Sequence, residues 1–300
     1  LARRPLRLSD RLGRLPLWSW LLPLVVWADL FAFGRGFNPA VDPVLLTYRP
    51  PVVDFLAQDH TLWRFSTFDP EGRNTFSANT GMYYRWQDVR GYDSLFSQQY
   101  ARYMGWIEPQ DQLLYNRIAP FRSFNSLDSP LTDLLNVRYV VTEFEIPLPK
   151  YRLVYRDDAV RVYENLGVAP RAFTLPLGAT VVVSDVEAVH EALLTYDPRS
   201  FVVVERAPEG WLKGMPESLA HTPDPQPGQL QAQPISAYGL NEVQVDVVVD
   251  RPSWLILTDA FAPGWKAFVR PLGTSQDAER EVSIGRVAGN FRGVLLEAGS

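Results

Sequence analysis

The chain has 300 residues, 46 % of them hydrophobic and 21 % charged, with a formal net charge of −5 at pH 7 and no cysteine. That length suggests about two domains with real cores, and that balance excludes an intrinsically disordered chain. The negative charge argues against a nucleic-acid partner, and the lack of thiols excludes disulfides, cysteine-ligated zinc and thiol catalysis.

Residues 1–14 form a basic segment carrying Arg3, Arg4, Arg7, Arg11 and Arg14. Residues 15–34 follow as a nearly uncharged apolar run with Trp18, Trp20 and Trp27. Roughly 20 apolar residues in a helix span a hydrocarbon core of about 30 Å, so this run is read as a transmembrane helix. The arginines upstream place the N-terminus in the cytoplasm and everything after about residue 36 outside it. Pro23 is expected to kink the span. Residues 35–52 hold four Pro and read as an extended connector.

Residues 53–205 read as a mixed α+β extracytoplasmic domain. VVDFLAQ opens it as a short helix, and TLWRFSTF alternates as a strand. Residues 94–104 space Leu95, Tyr100, Tyr103 and Met104 as a helix does. SPLTDLLN starts with a Ser cap and a Pro at the first helical position, then runs into the strand VRYVVTEF. YRLVY and AVRVYEN flank Arg156-Asp157-Asp158 as a hairpin. Residues 170–184 read as a second strand pair. Residues 185–194 form an amphipathic helix capped by Asp185, and FVVVE at 201–205 closes the unit.

Residues 206–229 are Pro-rich and read as a linker. From 230 to 300 short alternating strands recur with turns between them, which argues for a C-terminal β-sandwich. The chain starts without Met and ends in what reads as a turn, so a piece of a longer multi-span protein with a truncated sandwich is expected. The fold class expected is therefore α+β, with an N-terminal transmembrane helix, a mixed extracytoplasmic domain and a β-sandwich.

A series of motifs carries a resemblance. In chain order they are Ala28-Asp29-Leu30 with Gly34-Arg35-Gly36-Phe37-Asn38-Pro39, Gly81-Met82-Tyr83, Gly91-Tyr92-Asp93-Ser94-Leu95, and Leu134 to Val140. They continue with Val162-Tyr163-Glu164-Asn165, Pro170-Arg171-Ala172-Phe173, Asn241-Glu242-Val243, Trp254 to Asp259, Ala262 to Ala267, and Phe291-Arg292-Gly293-Val294. Together they resemble the YfhO-type bacterial membrane proteins over nearly all of residues 20–300. The acidic insert 271–281 departs from the family's tighter turn. The resemblance implies a polytopic glycosyltransferase of the GT-C type. It implies as partners the lipid bilayer of the bacterial cytoplasmic membrane, a polyprenyl-phosphate-linked sugar donor and a cell-surface glycan acceptor. It also implies that the catalytic acid lies in an early outer loop absent from this chain. A non-catalytic, membrane-tethered carbohydrate-binding or scaffold module is the alternative.

Candidate chemistry concentrates between residues 79 and 117. Asn79, Tyr83, Tyr92, Asp93, Tyr100, Arg102 and Trp106 form a candidate sugar-binding set: rings stack on the apolar face of a sugar while Asn, Asp and Arg bond its hydroxyls. The competing reading makes the rings core and the arginines a solvated face. Asp88 with Asp93, or Asp93 with Glu108, are conceivable glycosidase acid pairs, which separation and burial decide. His60, His190 and His221 are dispersed, and no spacing suits a metal, so neither a metal nor a cofactor is expected. Asp259, Pro263, Gly264 and Trp265 read as a structural turn, with Thr258-Asp259 bonding the loop and Trp265 anchoring the sandwich core.

Overall fold

A computed structural model describes residues 16–37, 41–206, 216, 219 and 224–299. The basic segment 1–14 and most of the expected linker 206–229 lie outside the described residues. The chain divides into two units, Leu1–Pro50 and Pro51–Ser300.

The first unit holds helix α1 (Leu21–Gly34), preceded by a 3₁₀ turn over Leu17–Trp20. Every residue of α1 is exposed, and Trp27 stacks on Phe31 at 5.4 Å. No helix among the described residues is long and apolar enough to cross a membrane, which departs from the span expected over 15–34. The prolines account for the difference. Pro16 precedes the 3₁₀ turn, and Pro23 falls in the first turn of α1, where its missing N–H has no helical partner to lose. The expected kink is therefore a helix start. What remains has 14 residues, about 21 Å at 1.5 Å each, short of the roughly 30 Å hydrocarbon core.

The second unit is α+β. Strands β1 (Arg64–Thr67), β2 (Gln87–Asp88), β3 (Val137–Thr142), β4 (Tyr151–Arg156) and β5 (Arg161–Asn165) form one sheet in the order β2-β1-β3-β5-β4. β1 runs parallel to β2 and β3, while β3, β5 and β4 pair antiparallel. Tyr139 and Val141 of β3 enter a cluster with Val53, Leu56, Trp63 and Phe65, whereas Val140 enters the main core on the other face. A strand covered on both faces reads as a continuous apolar run, as VRYVVT does. The β4–β5 turn is held by Asp157, whose Oδ1 accepts from the Ala159 and Val160 N–H groups.

Helix α2 (Gln98–Ile107) buries Tyr103, Met104 and Ile107 in the main core. Two short helices follow, α3 (Phe124–Asp128) and α4 (Pro130–Leu134), capped by Ser123 and Ser129 with Pro130 at the first position. β6 (Ala172–Pro176) comes next. β7 (Thr180–Val183) and β8 (Val202–Glu205) pair in parallel, joined through helix α5 (Val186–Thr195). The Asp185 side chain accepts from Ala188 N–H at 3.0 Å, and Val189, Ala192 and Leu193 form the buried stripe of α5.

Beyond residue 230 lie β9 (Gln231–Ala232), β10 (Ile235–Tyr238), β11 (Val243–Val245), β12 (Ser253–Ala260), β13 (Ala267–Val269), β14 (Arg280–Val282), β15 (Ile284–Val287) and β16 (Phe291–Leu296). The second five-stranded sheet is antiparallel, in the order β15-β16-β12-β6-β9. β6 therefore does not pair with β7 as the reading of 170–184 expects. A 3₁₀ turn over Leu177–Ala179 separates the two, and β12 and β9 occupy both edges of β6. The same pairing joins the segments expected to be two domains: residues 172–176 and 253–260 share a ladder, and 51–300 form one unit. Trp254 pins this junction. It is fully buried, and its Nε1 donates to Thr180 Oγ1 at 2.8 Å.

Candidate functional site

A cavity of about 230 Å³ lies where the two large sheets and α2 meet. Its polar lining includes Arg64 of β1, Asp88 and Arg90 at β2, Tyr100 of α2, Thr258 of β12 and Asn290 before β16; Phe96 supplies aromatic wall. At about 30 Å³ per water that volume corresponds to seven or eight waters, the scale of one sugar ring.

Most polar groups around it are committed. The Asp88 carboxylate is held by Arg90 through Nε at 3.0 Å and Nη2 at 2.7 Å, and Arg90 Nη1 also donates to Thr67 Oγ1 and Phe76 O. Tyr100 donates its hydroxyl to Val89 O, and burial pushes that phenol above its ordinary value. Arg64 Nη1 donates to Leu135 O at 2.9 Å and Thr258 O at 2.6 Å, and its Nη2 reaches Asp259 Oδ1 at 2.7 Å.

Two residues of the lining carry unpaired atoms that are closed off from the cavity space. Thr258 Oγ1 and Asn290 Oδ1 are buried without a hydrogen-bond partner. Such a group costs about 1–3 kcal/mol.

Behind Thr258 stands a charged cluster. Asp259 accepts from Arg64 and from the Tyr238 hydroxyl, and Arg171 Nε stands 3.6 Å from Asp259 Oδ1. The Arg171 guanidinium lies over the Tyr238 ring, its centre 5.4 Å from the centroid. Burial, with Arg64 beside it, pushes Arg171 down to about 10. Arg292 donates to Ala260 O and stacks on Trp265 at 3.7 Å, and burial lowers it as well.

Of the seven candidate sugar-binding residues, Tyr100 alone lines this cavity. Asn79 is a clamp: with φ +71° it donates Nδ2 to Tyr92 O at 2.6 Å and accepts Tyr92 N–H at 3.1 Å. Tyr83 is exposed and sits edge-on to Tyr84. Tyr92 is exposed beneath the Arg117 guanidinium, and exposed Asp93 accepts from Leu95 N–H. Arg102 is half-buried on α2 and does not line the cavity. Trp106 lies flat against His190 of α5, centroids 5.2 Å apart, so it is a packing contact.

The imagined acid pairs do not form a free pair in a cleft. Asp88 is tied to Arg90, Asp93 closes its own loop, and buried Glu108 accepts from Arg122 N–H and the Ser126 hydroxyl. Pro263 and exposed Gly264, with φ +103°, make the expected turn. Asp259 does not serve that turn; it faces the arginine cluster. Trp265 is half-buried under Arg292 and is not a core anchor. Among the described residues no three His, Asp or Glu side chains gather as a metal site.

The sequence pattern did not single out Arg64, Asn290 or the role of Arg171, and it gave Thr258 only a loop contact. One signal was available: TLWRFSTF places a cation inside an apolar strand, and a half-covered strand cannot leave it unpaired. No protein-family model, curated protein or solved structure matches the chain.

Proposed function

We propose that the chain is the non-catalytic, sugar-binding outer part of a bacterial membrane glycosyltransferase of the kind the sequence motifs resemble. The cavity carries this reading. It has the volume of one sugar ring, aromatic wall from Phe96, and a polar lining from Arg64, Asp88, Arg90 and Tyr100. Hydroxyl groups of a sugar both donate and accept, so one ring suits a lining of mixed donors and acceptors. The carboxylates nearest the cavity are fixed by arginine, which favours binding over acid–base work.

In this reading α1 sits among lipid and further helices of the parent protein, because a helix apolar on all sides but for Asp29 needs an apolar environment. The second unit then faces the cell envelope, with the antiparallel sheet and its hairpins as a sandwich that holds the glycan. Transfer from the polyprenyl-phosphate donor to the acceptor glycan then takes place at the parent enzyme's catalytic site, outside this chain.

The test is titration of the detergent-solubilised chain with methyl hexosides, followed by ligand-observed NMR. Phe96→Ala removes the aromatic wall of the cavity. It is expected to weaken binding about tenfold, or about 1.4 kcal/mol. Unchanged affinity in Phe96→Ala, or no binding by the wild type, would overturn the reading.

A further inference from the structure

Charge around the cavity is unbalanced. Among the described residues, Arg64, Arg90, Arg171 and Arg292 share two carboxylates, Asp88 and Asp259. Arg90 and Asp88 satisfy each other through two hydrogen bonds. Asp259 is left to serve three guanidiniums, and it does so incompletely.

Arg171 shows the shortfall most clearly. Only 4 % of its surface is exposed, and both Nε and Nη1 lack a hydrogen bond. Its 3.6 Å approach to Asp259 is beyond hydrogen-bond reach. A buried guanidinium without full pairing is costly, and an anion nearby relieves that cost. Arg64 links this cluster to the cavity. It lines the cavity and shares Asp259 with Arg171, so negative charge beside Arg64 frees part of the Asp259 carboxylate for Arg171.

We infer that the cavity takes an anionic sugar, with its carboxylate or phosphate beside Arg64 and its ring against Phe96. This rests on the sugar-binding reading above and narrows it to acidic saccharides. Guanidinium pairs with either oxyanion bidentately, so a uronic acid and a sugar phosphate share this chemistry.

The experiment titrates the full chain in detergent with methyl glucuronide, its uncharged methyl ester, methyl glucoside and glucose 1-phosphate. One anionic sugar is expected to bind about tenfold tighter than the ester and the glucoside, and the tighter anion identifies carboxylate or phosphate. Equal binding of charged and uncharged sugars would overturn the inference and leave the sugar-binding reading standing. Binding by none of the four overturns both. In Arg171→Met the anion preference is expected to fall while glucoside affinity holds; a preference kept in full by the folded variant counts against the charge argument. Because that variant removes a buried cation, the ester comparison on the wild type decides the matter if it fails to fold.

Discussion

Arg64 and Asp259, 195 residues apart in the chain, meet at 2.7 Å and tie an inner strand of one sheet to the central strand of the other. The contact is mostly buried, with the Arg64 side chain 15 % and the Asp259 side chain 9 % exposed. Removing one member of such a pair leaves the other unneutralised. Asp259→Asn therefore strands Arg64, Arg171 and Arg292, and a loss of about 3–5 kcal/mol is expected by urea unfolding. Arg171→Met removes a cation already short of partners, so its loss should be clearly smaller. An equal or larger loss in Arg171→Met would mean that Asp259 satisfies Arg171 fully.

That contact also marks where reading the chain stops working. Local elements were legible: Asp185 and Ser129 announce helix starts through their side-chain oxygens, and Asp157 announces the hairpin. β3 was legible because apolar residues on both faces leave an unbroken run. The partner of β6 was not, since AFTLP alternates no differently beside a near neighbour than beside β12, some eighty residues on. The site suffered the same way. Tyr100 stood out as one aromatic among many, whereas Thr258 and Asn290 are small polar residues whose meaning appears only when β12 and β16 pair beneath α2.

Trp106 belongs to the packing between α2 and α5. Its ring is parallel to His190 within 3° and tilts against Tyr103 at 5.8 Å. Gly289, at φ +71°, leaves room for it: a Cβ there would meet the Trp106 ring at 2.8 Å. Trp106→Ala is expected to cost about 3 kcal/mol in urea unfolding, near the lower end for a large ring because it is only half-buried. Affinity for a methyl hexoside should not change in the folded variant. A fall in affinity at unchanged stability would return Trp106 to the sugar site.

Gly293 sits where β16 passes beneath Trp254. A Cβ at this position would lie 2.4 Å from Val287 Cγ1 and 3.3 Å from the indole. Both neighbours are buried, so neither can swing into solvent. Gly293→Ala should destabilise by about 1–3 kcal/mol through overpacking, seen as a lower urea midpoint at unchanged slope. Near-UV circular dichroism should report the disturbed Trp254. A neutral or stabilising effect would mean that β16 and β15 separate more easily than their pairing suggests.

Glu164 supplies a pH test of the first sheet. Burial alone would raise its carboxyl, but hydrogen bonds from Arg152 and Arg138, with their charges, outweigh this and hold it below 4.5. In the unfolded chain those partners are lost and the carboxyl returns to its ordinary value. The folded state thus binds its proton less readily, and stability from this group is present above about pH 4.5. It is lost as pH falls through the lower folded-state value. Glu164→Gln keeps the size and removes the titration. The stability difference between wild type and Glu164→Gln should hold steady from about pH 7 to pH 5 and shrink below that. A difference that stays constant down to about pH 2 would show that Arg138 and Arg152 do not perturb this carboxylate in the folded chain.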